Sequence, residues 1–181
     1  MNYHNITTDD MLNGTGLRTV LWVSGCTMNC KNCHNPQAHD FESGIKFDSC
    51  AMLELFENLE KPYISGLTLS GGHPLEAKNL PVVYNIVKCV KEKYPNKTIW
   101  LYSGYTFEQI KEIENFYEEH EINSPSPLDV IEYCDVLVDG KYVDELRDIS
   151  LPWVGSSNQR VIDIPKTLEK GDIILWENQK N

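Results

Sequence analysis

Four short β-rich runs, each closed by a glycine and separated by helical patterns, constrain the fold of this chain more than any other feature. Thr19–Ser24 runs into Gly25, Leu67–Ser70 into Gly71, Thr98–Ser103 into Gly104 and Asp135–Asp139 into Gly140. Asp48–Leu59 reads as a helix, with Asp48 or Ser49 as N-cap and Met52, Leu53, Leu55, Phe56 and Leu59 on one face. Val82–Tyr94 is a periodic helix with Val83, Ile86, Val87 and Val90 inward and Pro95 as its stop, and Phe107–His120 is a charged amphipathic helix. Strands alternating with helices of this length predict βαβ units, a parallel sheet and an α/β fold. Functional groups in such folds gather at the C-terminal ends of the strands. The four glycine-closed ends are therefore expected to share one rim. Glu118–Leu128, around Asn123-Ser124-Pro125-Ser126-Pro127, reads as an exposed loop. Beyond Gly155 the pattern weakens, with Asp172–Trp176 as a short edge strand.

The first of these ends carries the chemistry. Cys26, Cys30 and Cys33 follow the apolar run in Cys-x3-Cys-x2-Cys spacing. Iron–sulfur clusters are ligated by cysteine thiolate, and three ligands on a four-iron cube leave one iron open. An open position is what separates a catalytic metal site from a closed structural one. A Cys3His zinc site completed by His34 or His39 is the alternative reading of the same residues. At 181 residues the chain can build a core without disulfide staples, and Met1–Asp10 is polar, so a cytosolic protein with free thiols is expected. Cys50, Cys89 and Cys134 stand singly in apolar segments and read as small buried hydrophobes.

Charge narrows the partners. Twenty-seven acidic against 16 basic residues give a net charge of −11, which argues against a phosphate-binding surface for nucleic acid. No apolar stretch approaches the ~18 residues that a membrane span needs.

Gly71-Gly72-His73-Pro74 ends the second strand, and residues without Cβ let a backbone approach a ligand closely. Taken alone the four residues read first as a tight strand-to-helix turn, a reading that loses ground because they share the expected rim with the cysteine loop. His73 reads either as a solvent-facing turn residue or as an acceptor for a ligand amine. Asp139 could bind a cation or a ligand hydroxyl, or cap the following turn. Ser103 and Tyr102 are similarly placed, and the polar run Gly155–Arg160 suits a partner or ligand contact. Asn13–Arg18 has the glycines of a phosphate loop without the helix that must follow one.

The segments Asn13–Gly16, Trp22–Asn35, Leu69–Gly72 with Pro74-Leu75, Ile99–Tyr105, Asp135–Lys141 and Gly155–Arg160 together resemble the radical S-adenosylmethionine enzymes. The resemblance is closer still to the activating proteins of anaerobic, class III ribonucleoside-triphosphate reductases. It implies a shortened, incomplete (βα) barrel, with residues 1–181 as one domain, a loop insertion at 118–128 and an extension after 165. It implies that Cys26, Cys30 and Cys33 hold one [4Fe–4S] cluster whose fourth iron is chelated by S-adenosylmethionine. Asn32, Cys33, His34, Gly71, Gly72, His73, Ser103 and Asp139 would contact that cofactor, and Asn158, Gln159 and Arg160 the partner. Reductive cleavage would yield methionine and a 5′-deoxyadenosyl radical, which creates a glycyl radical on the large reductase subunit. A low-potential donor such as flavodoxin or ferredoxin would supply the electron, in the cytoplasm, without nucleic acid or membrane. Two departures stand out: Asn32 precedes the last cysteine where an apolar residue is common, and His73 replaces a carboxylate. Competing readings are a pyruvate formate-lyase activase, a radical enzyme acting on a small molecule, and a zinc-binding interaction domain.

Overall fold

A computed structural model describes residues 1–177; the last four positions of the expected C-terminal extension lie outside the described residues. Its centre is a sheet of seven strands: β1 (Asn2–Asp10), β2 (Leu17–Val23), β3 (Ile45–Lys46), β4 (Ile64–Gly71), β5 (Thr98–Tyr102), β6 (Val136–Asp139) and β7 (Arg160–Asp163). The spatial order is β3-β1-β2-β4-β5-β6-β7. The inner four, β2-β4-β5-β6, are parallel, whereas β1, β3 and β7 add antiparallel edges, and the sheet is open. The expected parallel sheet is thus the middle of a mixed one.

Side chains alternate across the strands. Leu21, Val23, Leu67, Leu69, Ile99, Leu101 and Leu137 enter the main core with the helices α1 (Ser49–Glu60), α2 (Leu80–Lys93), α3 (Phe107–Glu119), α4 (Pro127–Ile131) and α5 (Ile164–Lys170). On the other face Trp100, Val136, Val138 and Val161 form a second cluster, sealed by Trp153 and Trp176 edge-on to Trp100. At the N-terminal ends of the strands this face is plugged by Arg18. Its buried guanidinium donates to Thr68 Oγ1 at 2.6 Å, Leu67 O at 2.6 Å and Thr98 O at 2.9 Å. Burial without a carboxylate partner lowers its pKa to about 10.

Helix boundaries follow local chemistry. Asp48 caps α1 by accepting from Cys50 N and Ala51 N, and Thr106 with Gln109 closes a capping box on α3. Val83, Ile86, Val87 and Val90 are all fully buried, as their spacing predicts. Leu53 is not: it is 61% exposed, because Ala51, Leu55 and Leu59 define the buried stripe of α1. The expected loop insertion ends in structure, with Ser126 capping α4 and Val130 and Ile131 in the core. The expected edge strand near residue 174 reduces to an isolated bridge, Ile162 with Leu175. Of the single cysteines, Cys134 is buried as expected, whereas Cys89 is half-buried and Cys50, in the first turn of α1 and off its buried stripe, is exposed.

Candidate functional site

The C-terminal ends of β2, β4, β5 and β6 open onto one cavity of about 440 Å³, within the range of small-molecule sites. Cys26, Cys30 and Cys33 line it with Ser70–His73, Tyr102–Gly104, Gly140, Gly155 and Gln159, over a floor that includes Trp22.

The cysteine loop is fastened at its base. Gly25 N donates to Ala38 O at 2.8 Å and Cys26 N to His39 O at 3.1 Å. The Gly-Gly turn then locks onto it, with Gly72 N donating to Val23 O at 2.7 Å and His73 N to Gly25 O at 2.8 Å. Asn79 Nδ2 holds both partners, donating to Ser24 O at 2.9 Å and His73 O at 3.1 Å. Gly71 has φ +101°, a conformation that favours glycine. At Gly72 a Cβ would stand 2.7 Å from Gly25 O, so the close approach it permits is to the cysteine loop itself. Asn29 and Asn32 take left-handed φ values of 46° and 55°, which asparagine tolerates and apolar residues resist.

Each thiol has a backbone N–H aimed at it: Met28 at Cys26, Tyr142 at Cys30, and Asn35 at Cys33 at 3.4 Å. Such bonds stabilise thiolates and tune the potential of a cluster they hold. Burial nevertheless pushes the Cys26 and Cys30 thiols up, against the Met28 N–H in one case and the Lys141 charge in the other. Among the described residues no three His, Cys, Asp or Glu side chains converge tightly enough to hold a single metal ion. Three cysteines lining one cavity suit a polynuclear group, whose ligands sit on different metals.

With this geometry in hand, the relatives can be compared. The sequence model described as "4Fe-4S single cluster domain" matches residues 12–162. The anaerobic ribonucleoside-triphosphate reductase-activating protein of Enterobacteria phage T4 is 40% identical over 161 residues, 89% of this chain and 93% of that protein. The proteins of the same name from Pasteurella multocida and Escherichia coli K12 are 37% and 35% identical, covering 88% and 89% of this chain and 95% and 97% of their own. The chain belongs to the anaerobic ribonucleoside-triphosphate reductase-activating protein family.

Membership gives the expected site residues a common frame, and they divide. Cys26, Cys30, Cys33, His34, Gly71, Gly72, His73 and Ser103 all line the cavity. Asn32 does not: its amide donates to Asp144 at 2.8 Å, and it lines a neighbouring recess. Asp139 is fully buried and its carboxylate is already engaged, accepting from Arg160 Nε at 3.0 Å and Phe107 N at 2.8 Å. Arg160 also forks onto Glu108, at 3.0 and 2.7 Å. These hydrogen bonds, Asp139 first, push its pKa far up, and Glu108 is held at about 2 chiefly by the Arg160 bond. Gln159 accepts from Gly155 N at 2.9 Å and donates to Gly140 O at 2.9 Å, while Asn158 donates to Lys141 O at 2.8 Å. The side chains of Asn158, Gln159 and Arg160 thus brace the end of β6.

His73 is not a surface residue. It is 1% exposed, packs edge-on to Tyr105, and lies between Glu76 and Ser103. The carboxylate that the resemblance led one to expect at this position is absent, and one stands three residues later, at Glu76. Sequence reading missed Glu76 and its partner Thr27; the i to i+3 spacing of His73 and Glu76, on either side of Pro74, was the available signal.

Proposed function

We propose that this protein is a radical S-adenosylmethionine activase. In this reading Cys26, Cys30 and Cys33 hold one [4Fe–4S] cluster, and the cavity beside them takes S-adenosylmethionine. The partner is the large subunit of an anaerobic ribonucleoside-triphosphate reductase. The observation that carries it is three free loop thiols, each with a backbone N–H donor, on the wall of one cavity in a chain of this family. When bound, the cluster supplies one electron to S-adenosylmethionine, whose cleavage gives methionine and the 5′-deoxyadenosyl radical that takes hydrogen from the partner's glycine.

The chain's own residues bind, orient and exclude water. The Gly71-Gly72 backbone borders the methionine end, next to His73, which Glu76 and Ser103 hold in place. Ser103 and His34 complete the polar lining. Trp22, Met28, Tyr102 and Tyr142 provide apolar wall that keeps water from a reactive radical. The parallel strands β2, β4, β5 and β6 are read as the surviving part of an incomplete (βα) barrel, and residues 1–181 as one domain. A low-potential donor such as flavodoxin or ferredoxin delivers the electron. A cytoplasmic setting fits six cysteines without a disulfide.

Anaerobic reconstitution followed by reduction with S-adenosylmethionine tests this reading. Iron and sulfide should each approach four per chain, and 5′-deoxyadenosine and methionine should appear together. Cys26→Ala, Cys30→Ala and Cys33→Ala should abolish both, whereas alanine at Cys50, Cys89 or Cys134 should not. Full iron content in Cys30→Ala would overturn the assignment.

A further inference from the structure

Glu76 is a buried carboxylate, 7% exposed, that no step above employs. Its Oε1 accepts from the backbone N–H and the hydroxyl of Thr27, both at 2.7 Å, and faces His73 Nδ1 at 3.3 Å. On the far side of the imidazole, Nε2 stands 3.1 Å from Ser103 Oγ, which itself accepts from Tyr105 N at 2.9 Å. The partners assign the protons: Nδ1–H points at the carboxylate, and the Ser103 hydroxyl donates to Nε2. One carboxylate oxygen therefore joins three strand ends, through the residue that follows Cys26, the residue that follows Gly72, and Ser103 beyond β5.

Two physical consequences follow from this position. Thr27 is itself exposed, and a loop of that kind keeps one conformation only if something outside it holds the backbone. Two hydrogen bonds, one from the backbone and one from the side chain of the same residue, fix both its φ/ψ and its rotamer. The second consequence is electrostatic. Burial pushes the Glu76 carboxyl up, but hydrogen bonds from His73 and from the Thr27 N–H and hydroxyl outweigh it and hold it at about 2. The group is an anion at any physiological pH. A fixed negative charge in a poorly solvated site opposes the arrival of another, and the effect is stronger there than in water.

We propose that Glu76 is a positioning residue that sets the start of the cysteine loop through Thr27 and, by its charge beside Cys26, lowers the reduction potential of the cluster. This rests on the cluster reading given above. The positioning half does not need the cluster and is separately measurable.

Two variants separate the halves. Glu76→Gln keeps an acceptor for Thr27 and removes the charge; Glu76→Ala removes both. In metal-free protein, Glu76→Ala should speed hydrogen exchange at the Thr27 amide about tenfold, the range expected for losing a net hydrogen bond, with Glu76→Gln close to wild type. In anaerobically reconstituted protein, Glu76→Gln should hold wild-type iron while its reduction equilibrium constant rises about tenfold, 59 mV for one electron. An unchanged Thr27 exchange rate in Glu76→Ala overturns the positioning role. An unchanged potential in iron-replete Glu76→Gln overturns the electrostatic one. If wild-type protein takes up no iron, the cluster reading fails and the exchange measurement still decides the first half.

Discussion

At Gly72 the backbone leaves no space for a side chain, because a Cβ would stand 2.7 Å from Gly25 O and 3.0 Å from Ala38 O. Neither neighbour is a flexible side-chain end, so a substitution must move the cysteine loop. Gly72→Ala should destabilise the metal-free protein by about 1–3 kcal/mol, the usual range for overpacking, in urea denaturation. It should also lower iron uptake. Unchanged stability and uptake would mean that the loop yields freely. Glu76 contributes to the acid response. Its folded pKa, about 2, lies below the unfolded value near 4.5, so its stabilisation is complete above about pH 5 and is lost as pH falls toward 2. Wild type should lose on the order of 3 kcal/mol over that window relative to Glu76→Gln; parallel acid profiles would contradict this. The cysteine spacing and the Gly-Gly pair were legible in the sequence because each is a local pattern with a local cause. The burial of His73 was not, because it depends on Ser103, thirty positions away, arriving from the next strand.

The element that does most to shape the rim is β7, four residues long, pairing antiparallel with β6 so that Arg160 faces Asp139 in register. That register makes an ion pair of a residue expected to meet the cofactor and one expected to meet the partner. The Asp139 side chain is 1% exposed, and the pair also fastens the start of α3 through Phe107 N and Glu108. Arg160→Met leaves a buried carboxylate with only one donor and should destabilise by about 3 kcal/mol, at the lower end for breaking a buried pair. Adding Asp139→Asn should recover much of the loss, as a double-mutant cycle in chemical denaturation would show; additive losses would mean that the two side chains are not coupled. Neither β1 nor β7 announced itself in the sequence. β1 is mostly polar, with only Tyr3 and Ile6 buried, and β7 is too short for a period-2 pattern. The helices α1, α2 and α3 were legible to within a residue or two because their apolar stripes and caps are encoded within single turns.

Across the whole molecule, helices cover one face of the sheet, and the other carries a tryptophan-sealed cluster below and the cavity above. The alternation of strands and helices predicted the parallel centre and the shared rim. It could not predict the antiparallel edges, which depend on pairing between distant segments rather than on composition. Arg18 plugs one end of the sheet and the cysteine loop borders the cavity at the other. Among the described residues no helix is long and apolar enough to cross a membrane. The central claim is that the cavity serves a glycine on a partner protein, and electron paramagnetic resonance tests it most directly. Reduced, cluster-loaded protein mixed with S-adenosylmethionine and an anaerobic ribonucleoside-triphosphate reductase should give a glycyl-radical doublet on the reductase, absent when the radical glycine is replaced by alanine. Cleavage of S-adenosylmethionine with no doublet on the reductase, while pyruvate formate-lyase acquires one, would contradict the account.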